Sequence, residues 1–371
     1  MNPRFSACLA VLCLLAGCQP PDTASPGERH DAPRPGLAAF ERGYGLILQG
    51  DLQAGLAVLD PIPPGALTPA DRASRQAILD RFQTGPAWGP DLPAGFPRAV
   101  VASYVDYWTQ SLLKRADRAT AEAGLLARLR ACLRQHGKQV EGVRTLEDVT
   151  EALGPLLEAE GFHSLRGLTA PYHELMLWRK ERVATYEVRL PESTQQVRVV
   201  FMSDFVLRGW LGFATCGRSY SGGWTTDQAL FCLEDAYDLD SEAFQVSYLA
   251  HEGQHFADNR RFPKLQQPEL EYRAKLVEVI QAKETLPALL DQFSRRGGTR
   301  RDAPHAYANR QLALSLSRVL FGDDAALKEP GRWAAKAPAD IQAAALRLLR
   351  ESSAALEAAG ADRAERLPFR D

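Results

Sequence analysis

The sequence predicts an α+β protein, mostly helical, with a small antiparallel sheet that precedes a helix carrying paired histidines. Three observations lead there. Apolar residues recur every three or four positions from Leu37 to about Leu168, the repeat of an amphipathic helix. Residues 186–190 and 196–201 then alternate between apolar and polar, the repeat of a half-buried strand. After Asp238 the helical spacing returns and continues nearly to the end.

Arg4 is the only charge before Asp22, and an apolar run at 7–16 follows it. That run is too short to span a bilayer as a helix. A basic start, a short apolar core and small residues before a cut describe a secretory signal peptide. Its end, Leu15-Ala16-Gly17-Cys18, resembles the lipobox of bacterial lipoproteins. The resemblance implies removal of residues 1–17 and lipid attachment at Cys18. With Gln19 rather than Asp after the cysteine, it also implies an outer-membrane anchor facing the periplasm. Residues 18–36 are rich in Pro, Gly and small polar residues and read as a flexible tether.

Phe40, Tyr44, Ile47 and Leu48 share one helical face, Gly50-Asp51 forms a turn, and Leu52, Leu56 and Leu59 continue the pattern to Pro61. The pair is similar to one helix hairpin of tetratricopeptide type. No second copy follows at a fixed period, so no solenoid is expected. Segments 61–69 and 85–97 are rich in breakers and read as loops. Helices are expected at 97–114, 117–135 and 145–160, so 37–168 forms a helical N-terminal region and 169–371 a second domain. There, 191–194 is the turn of a β-hairpin. Residues 210–215 and 228–232 are expected to add two short strands around the glycine-rich stretch 221–224. A last amphipathic helix is expected at 341–356.

The chain has 371 residues, 45% hydrophobic and 24% charged, with a net charge of −2. This excludes a disordered chain and a polytopic membrane protein. It also argues against a general nucleic-acid partner, which needs a basic surplus. Cys8 and Cys13 would leave with the signal, and Cys18 would carry lipid. Of the remaining three, Cys216 and Cys232 are expected to pair in an oxidising compartment, leaving Cys132 as a buried thiol in a helix.

The chemistry concentrates at His251-Glu252-Gly253-Gln254-His255. Two histidines four apart on a helix point the same way, so both imidazoles reach one metal ion. Glu252 lies on a neighbouring face, placed to act on a water at that metal. Asp238 and Asp240 offer N-cap oxygens, and Phe244 and Tyr248 lead into the histidines at helical spacing. His30, His136, His163 and His173 have no ligand spacing.

This segment resembles the zincin metallopeptidases and, among them, the gluzincins. There is no third His, and Asp258 and Arg261 occupy the positions a metzincin would need, so that branch is excluded. Gluzincins take their third ligand, a Glu, from a following helix. The Glu-x-x-Ala pattern at 271–274 makes Glu271 the first candidate, with Glu269 and Glu278 as alternatives. The resemblance implies peptide or protein substrates, a zinc cofactor and an open ligand position for water. It makes Glu252 the general base. Asp258 is either a partner for His255 or a surface charge. His305 and Tyr307 are candidate donors to the developing oxyanion, beside Arg310, Tyr272 and Arg273. Zincins also carry a sheet edge along which substrate pairs. A segment of 209–226, with Gly209, Gly212, Gly217, Gly222 and Gly223, is either that edge or a surface loop held by the disulfide.

A rival expectation is a non-catalytic scaffold or binding lipoprotein of the cell envelope, with a structural or inactive metal site. A fourth protein ligand would favour it; an open position favours the enzyme.

Overall fold

A computed structural model describes residues 35–369 apart from 85–88, 90, 139 and 227–228, so Cys18, the expected signal segment and nearly all of the tether lie outside the described residues. Helices α1 (Pro35–Leu48) and α2 (Leu52–Leu59) form the hairpin expected around Gly50-Asp51. Asp51 caps α2 by accepting the Ala54 amide at 3.1 Å. The helices approach closely because Gly55 lacks a side chain; a Cβ there would lie 2.5 Å from Ile47 Cγ1. Helix α3 (Pro69–Leu79) follows, and α4 (Phe96–Leu112), α5 (Arg118–Gln135) and α6 (Leu146–Ala159) start and end within two residues of expectation. Cys132 is buried in α5, as expected.

The sheet is larger than expected and mixed rather than antiparallel. Its strands are β1 (His163–Thr169), β2 (Tyr172–Arg189), β3 (Thr194–Arg208), β4 (Gly223–Thr225) and β5 (Leu230–Leu233), in the order β1-β2-β3-β5-β4. β3 and β5 run parallel; the other pairs are antiparallel. The expected hairpin is only the far end of strands 18 and 15 residues long. The near end of β2 escapes a period-two reading because residues 174–178 are buried on both faces. β1 lies where the helical region was expected to end.

Residues 210–215 are not a strand. They belong to helix α7 (Gly209–Ala214) and its end. Gly209, at φ +76°, takes a left-handed conformation that terminates β3. The Trp210 amide then donates to the buried Glu174 carboxylate at 2.9 Å.

A π-helical run, Ala243–Ala250, leads without a break into α8 (His251–Arg261). Ser241 caps it, its Oγ accepting the Phe244 amide at 3.2 Å; Asp238 instead accepts the Asp240 amide. The chain closes with α9 (Gln267–Gln281), α10 (Leu286–Arg295), α11 (Pro304–Phe321) and α12 (Pro338–Ala359). One core joins α1–α6 and also takes in Leu175, Leu177 and Leu207 of the sheet and helix α7, all of which follow residue 168. A second core packs the sheet against α8–α12. No helix among the described residues is long and apolar enough to cross a membrane.

Candidate metal centre

Helices α8 and α9 lie side by side, and their facing sides carry the chemistry. Gly253 faces the sheet, where a Cβ would come within 3.1 Å of Val188 Cγ1. The small residue lets α8 sit close to β2 while the histidines turn toward α9. His251 Nε2 and His255 Nε2 stand 3.1 Å apart. The Glu271 carboxylate closes the triangle, Oε2 lying 3.5 Å from His251 Nε2 and Oε1 3.5 Å from His255 Nε2. A tetrahedral ion with bonds of 2.0–2.1 Å separates its ligand atoms by about 3.4 Å. The three residues bring one ligand atom each within 4.8 Å of one another, with spacings of that order, and could hold a metal ion.

Two further observations fit a cation. Both Glu271 carboxylate oxygens are buried without a hydrogen bond, which is costly for a carboxylate unless a cation takes them up. His305 Nδ1 approaches Oε2 to 2.7 Å, but without hydrogen-bond geometry. The second observation is charge. Asp258 pairs with Arg273, and Glu269 with Arg301. What remains buried is three carboxylates, Glu252, Glu271 and Glu278, against one ammonium, Lys275. With neutral imidazoles the surplus is two negative charges, which one divalent cation cancels.

Without an ion the His255 imidazole feels the carboxylates around it. Burial alone would depress the His255 imidazole. The Glu271 carboxylate, with Glu252 and Asp258 behind it, overrides burial and lifts it to about 9. Burial likewise opposes ionisation of Glu271, yet His305, His255 and His251 together hold its carboxyl well below the ordinary range.

Around the triad, the expected residues separate. Glu252 is buried on α8 and accepts a hydrogen bond from the Thr225 hydroxyl of β4. β4 is the end strand of the sheet, so part of 209–226 does form an edge, and that edge touches Glu252. Glu278, weighed as a third ligand, instead holds His251 Nδ1 at 2.7 Å. This fixes the tautomer that leaves Nε2 for a metal. Glu269 is taken by Arg301, at 2.8 and 2.9 Å.

Asp258 does not orient His255. Its carboxylate receives Arg273 Nε and Nη2, both at 2.9 Å, because a buried guanidinium on the facing helix matches it in a fork. His305 reaches the site, whereas Tyr307 packs on Phe369 and lies under the Arg301 guanidinium. Cys216 and Cys232 are free thiols rather than a disulfide. Cys216 donates to Ala77 O on α3 while Cys232 is buried on β5, in a different core. Thr225 and Lys275 were not anticipated. Lys275 and Glu278 stand four and seven residues after Glu271, on the same helical face, so spacing could have drawn attention to them.

His305 is not part of the ligand cluster, so among the described residues no fourth side chain completes the tetrahedron. Cavities of about 450 Å³ beside Val188, Val246 and Leu249, and about 330 Å³ beside Ser74 and Cys216, do not touch the triad. No family model matches the chain, and neither a curated protein nor a solved structure is significantly similar to it, so its functional reading rests on these residues.

Proposed function

We propose that the chain is a zinc metallopeptidase of gluzincin type, exported and lipid-anchored at Cys18 in a bacterial cell envelope. The observation that carries this reading is the His251–His255–Glu271 triangle with Glu252 beside it and no fourth side chain in the cluster. Two imidazoles and one carboxylate are a donor set suited to zinc with an open position. A zinc ion held there supplies Lewis acidity, polarising a scissile carbonyl and acidifying a water.

The remaining work falls to the chain. Glu252 accepts the proton of the attacking water on its carboxylate and passes it to the leaving amine. The Thr225 hydroxyl orients that carboxylate. Glu278 keeps His251 in the tautomer that presents Nε2. His305, whose side chain is 37% exposed, is the most open group against the triad and donates to the developing oxyanion. The free edge of β4 offers main-chain groups to an extended peptide beside Glu252.

The burial of all three ligand side chains, at 5% exposure or less, favours a second reading, a structural metal site on a scaffold lipoprotein. One experiment separates the two. Bound metal and peptide hydrolysis are measured for the wild type and Glu252→Gln. The enzyme is expected to hold one zinc per chain in both forms and to lose turnover by at least a hundredfold in the variant. Absence of zinc, or wild-type turnover in Glu252→Gln, would overturn the enzyme reading; bound zinc without hydrolysis by either form leaves the scaffold.

A further inference from the structure

Lys275 is the buried cation of the site, and the mechanism above gives it nothing to do. It stands one turn beyond Glu271 on α9, only 6% exposed. Its Nζ lies 4.0 Å from Glu271 Oε2, outside hydrogen-bond distance, and 5.1 Å above the Phe293 ring. No hydrogen bond reaches this ammonium from the described residues. An apolar side chain of similar length would fill the same space against Phe293. Its charge, rather than its hydrogen bonding, distinguishes it from a methionine.

Resting on the metal-site reading, we propose that Lys275 sets the charge number of the centre, trimming three buried carboxylates to a surplus of two so that the site matches a divalent cation and holds it loosely enough to stay Lewis-acidic. Every other buried charge nearby is either a group at the triad or closed in a pair. Glu252, Glu271 and Glu278 are the negative groups. Asp258–Arg273 and Glu269–Arg301 cancel within themselves. Among the described residues Lys275 is the buried cation beside these carboxylates whose charge does not depend on an imidazole, and it stands at Oε2, the oxygen that also faces His251 and His305. Removing its charge leaves three negative charges around the ion. Attraction between charges at such separations is strong in a buried site, even at an effective dielectric near 20. The ion is then held more tightly and its positive charge is more fully neutralised.

The test measures Zn²⁺ affinity by competition with a chelating indicator, without any assay of hydrolysis. Lys275→Met is expected to bind Zn²⁺ at least tenfold more tightly than the wild type, and Lys275→Arg within about threefold of it. Against a Glu278→Gln background, where the hydrogen bond to His251 is already altered, adding Lys275→Met is expected to tighten binding again by at least tenfold. A merely structural lysine would not produce this pattern. Unchanged or weaker binding by a folded Lys275→Met overturns the proposal. Lys275→Gln serves the same comparison where the methionine variant does not fold, and failure of both to fold with Zn²⁺ present makes the residue structural and overturns the proposal. A wild type that binds no Zn²⁺ removes the metallopeptidase reading itself, a result distinct from these.

Discussion

The α8–α9 contact that shapes the triad is also pinned by a buried ion pair, and breaking that pair has a calculable cost. Arg273 is fully buried. Its guanidinium gives Nε and Nη2 to the two Asp258 oxygens at 2.9 Å each, and Nη1 to Ser352, to Ser353 at 3.1 Å and to Leu349 O at 3.4 Å. In Arg273→Met the carboxylate of Asp258, 1% exposed, is left without a counter-charge. Stranding one partner of a buried pair costs about 3–5 kcal/mol. For a domain of ordinary stability, about 5–15 kcal/mol, that is a large fraction. Replacing both charges removes the stranded group. Asp258→Leu/Arg273→Met is therefore expected to lose less than either single variant, and far less than their sum. Urea unfolding of the metal-free protein, followed by circular dichroism, gives the four stabilities of the cycle, with slope changes checked first. Additive losses, or a single-variant cost under about 1 kcal/mol, would refute the claim that this pair is desolvated and mutually dependent.

Glu278→Gln is expected to keep the fold but to weaken Zn²⁺ binding by about 10–100-fold, because the hydrogen bond to His251 Nδ1 loses its charge; equal affinity in a competition titration would remove Glu278 from that role. Glu174 supplies a pH prediction. Burial pushes its carboxyl from an ordinary 4.5 to about 7, against hydrogen bonds from the amides of Trp210 and Leu175. The folded protein thus binds this proton more tightly than the unfolded chain does. The contribution is complete below pH 4.5 and is lost as pH rises through 7. At about 1.4 kcal/mol per tenfold change in proton affinity, the loss is about 3 kcal/mol by pH 8. Glu174→Gln should match the wild type at pH 4 and exceed its stability by up to about 3 kcal/mol at pH 8; a stability difference that does not change between those pH values would contradict the assignment.

What the sequence made legible depended on how local each relation was. His251, His255 and Glu271 could be read because two of them share a helix face and the third follows on the next helix with a small residue one turn away. The helices α1, α2 and α4–α6 were legible for the same reason, since each has one buried stripe and a clear stop. The near end of β2 was not, because residues 174–178 are buried on both sides and a period of two never shows, and β1, half-buried along nearly its whole length, offers no alternation either. Helix α7 was read as a strand because all six of its residues are buried, which erases any amphipathic signal. Spacing leaves Asp258 open between a partner for His255 and a surface charge, and neither holds, because a guanidinium on the facing helix takes it up in the interior. Thr225 reaches Glu252 only because β5 pairs beside β3 and brings β4 to the end of the sheet, a long-range arrangement that no local pattern carries.

The two links between α8 and α9 differ in kind, and that difference bears on how the centre works. The Asp258–Arg273 pair lies three residues past His255 and two past Glu271, is electrically closed, and needs no ion. It can set the separation of the helices during folding. The triad, by contrast, sets buried carboxylates against its own imidazoles, and the raised His255 imidazole registers that local negative charge. An ion that binds the folded chain and not the unfolded one adds its binding free energy to stability, about 2.7 kcal/mol at a hundred times its Kd. Geometry is thus secured by a neutral pair placed beside the ligands, while charge is left open at the ligands. On the metal-site reading, a site built in this order would keep the ligand cluster preformed for an ion and would keep Glu252 next to His251.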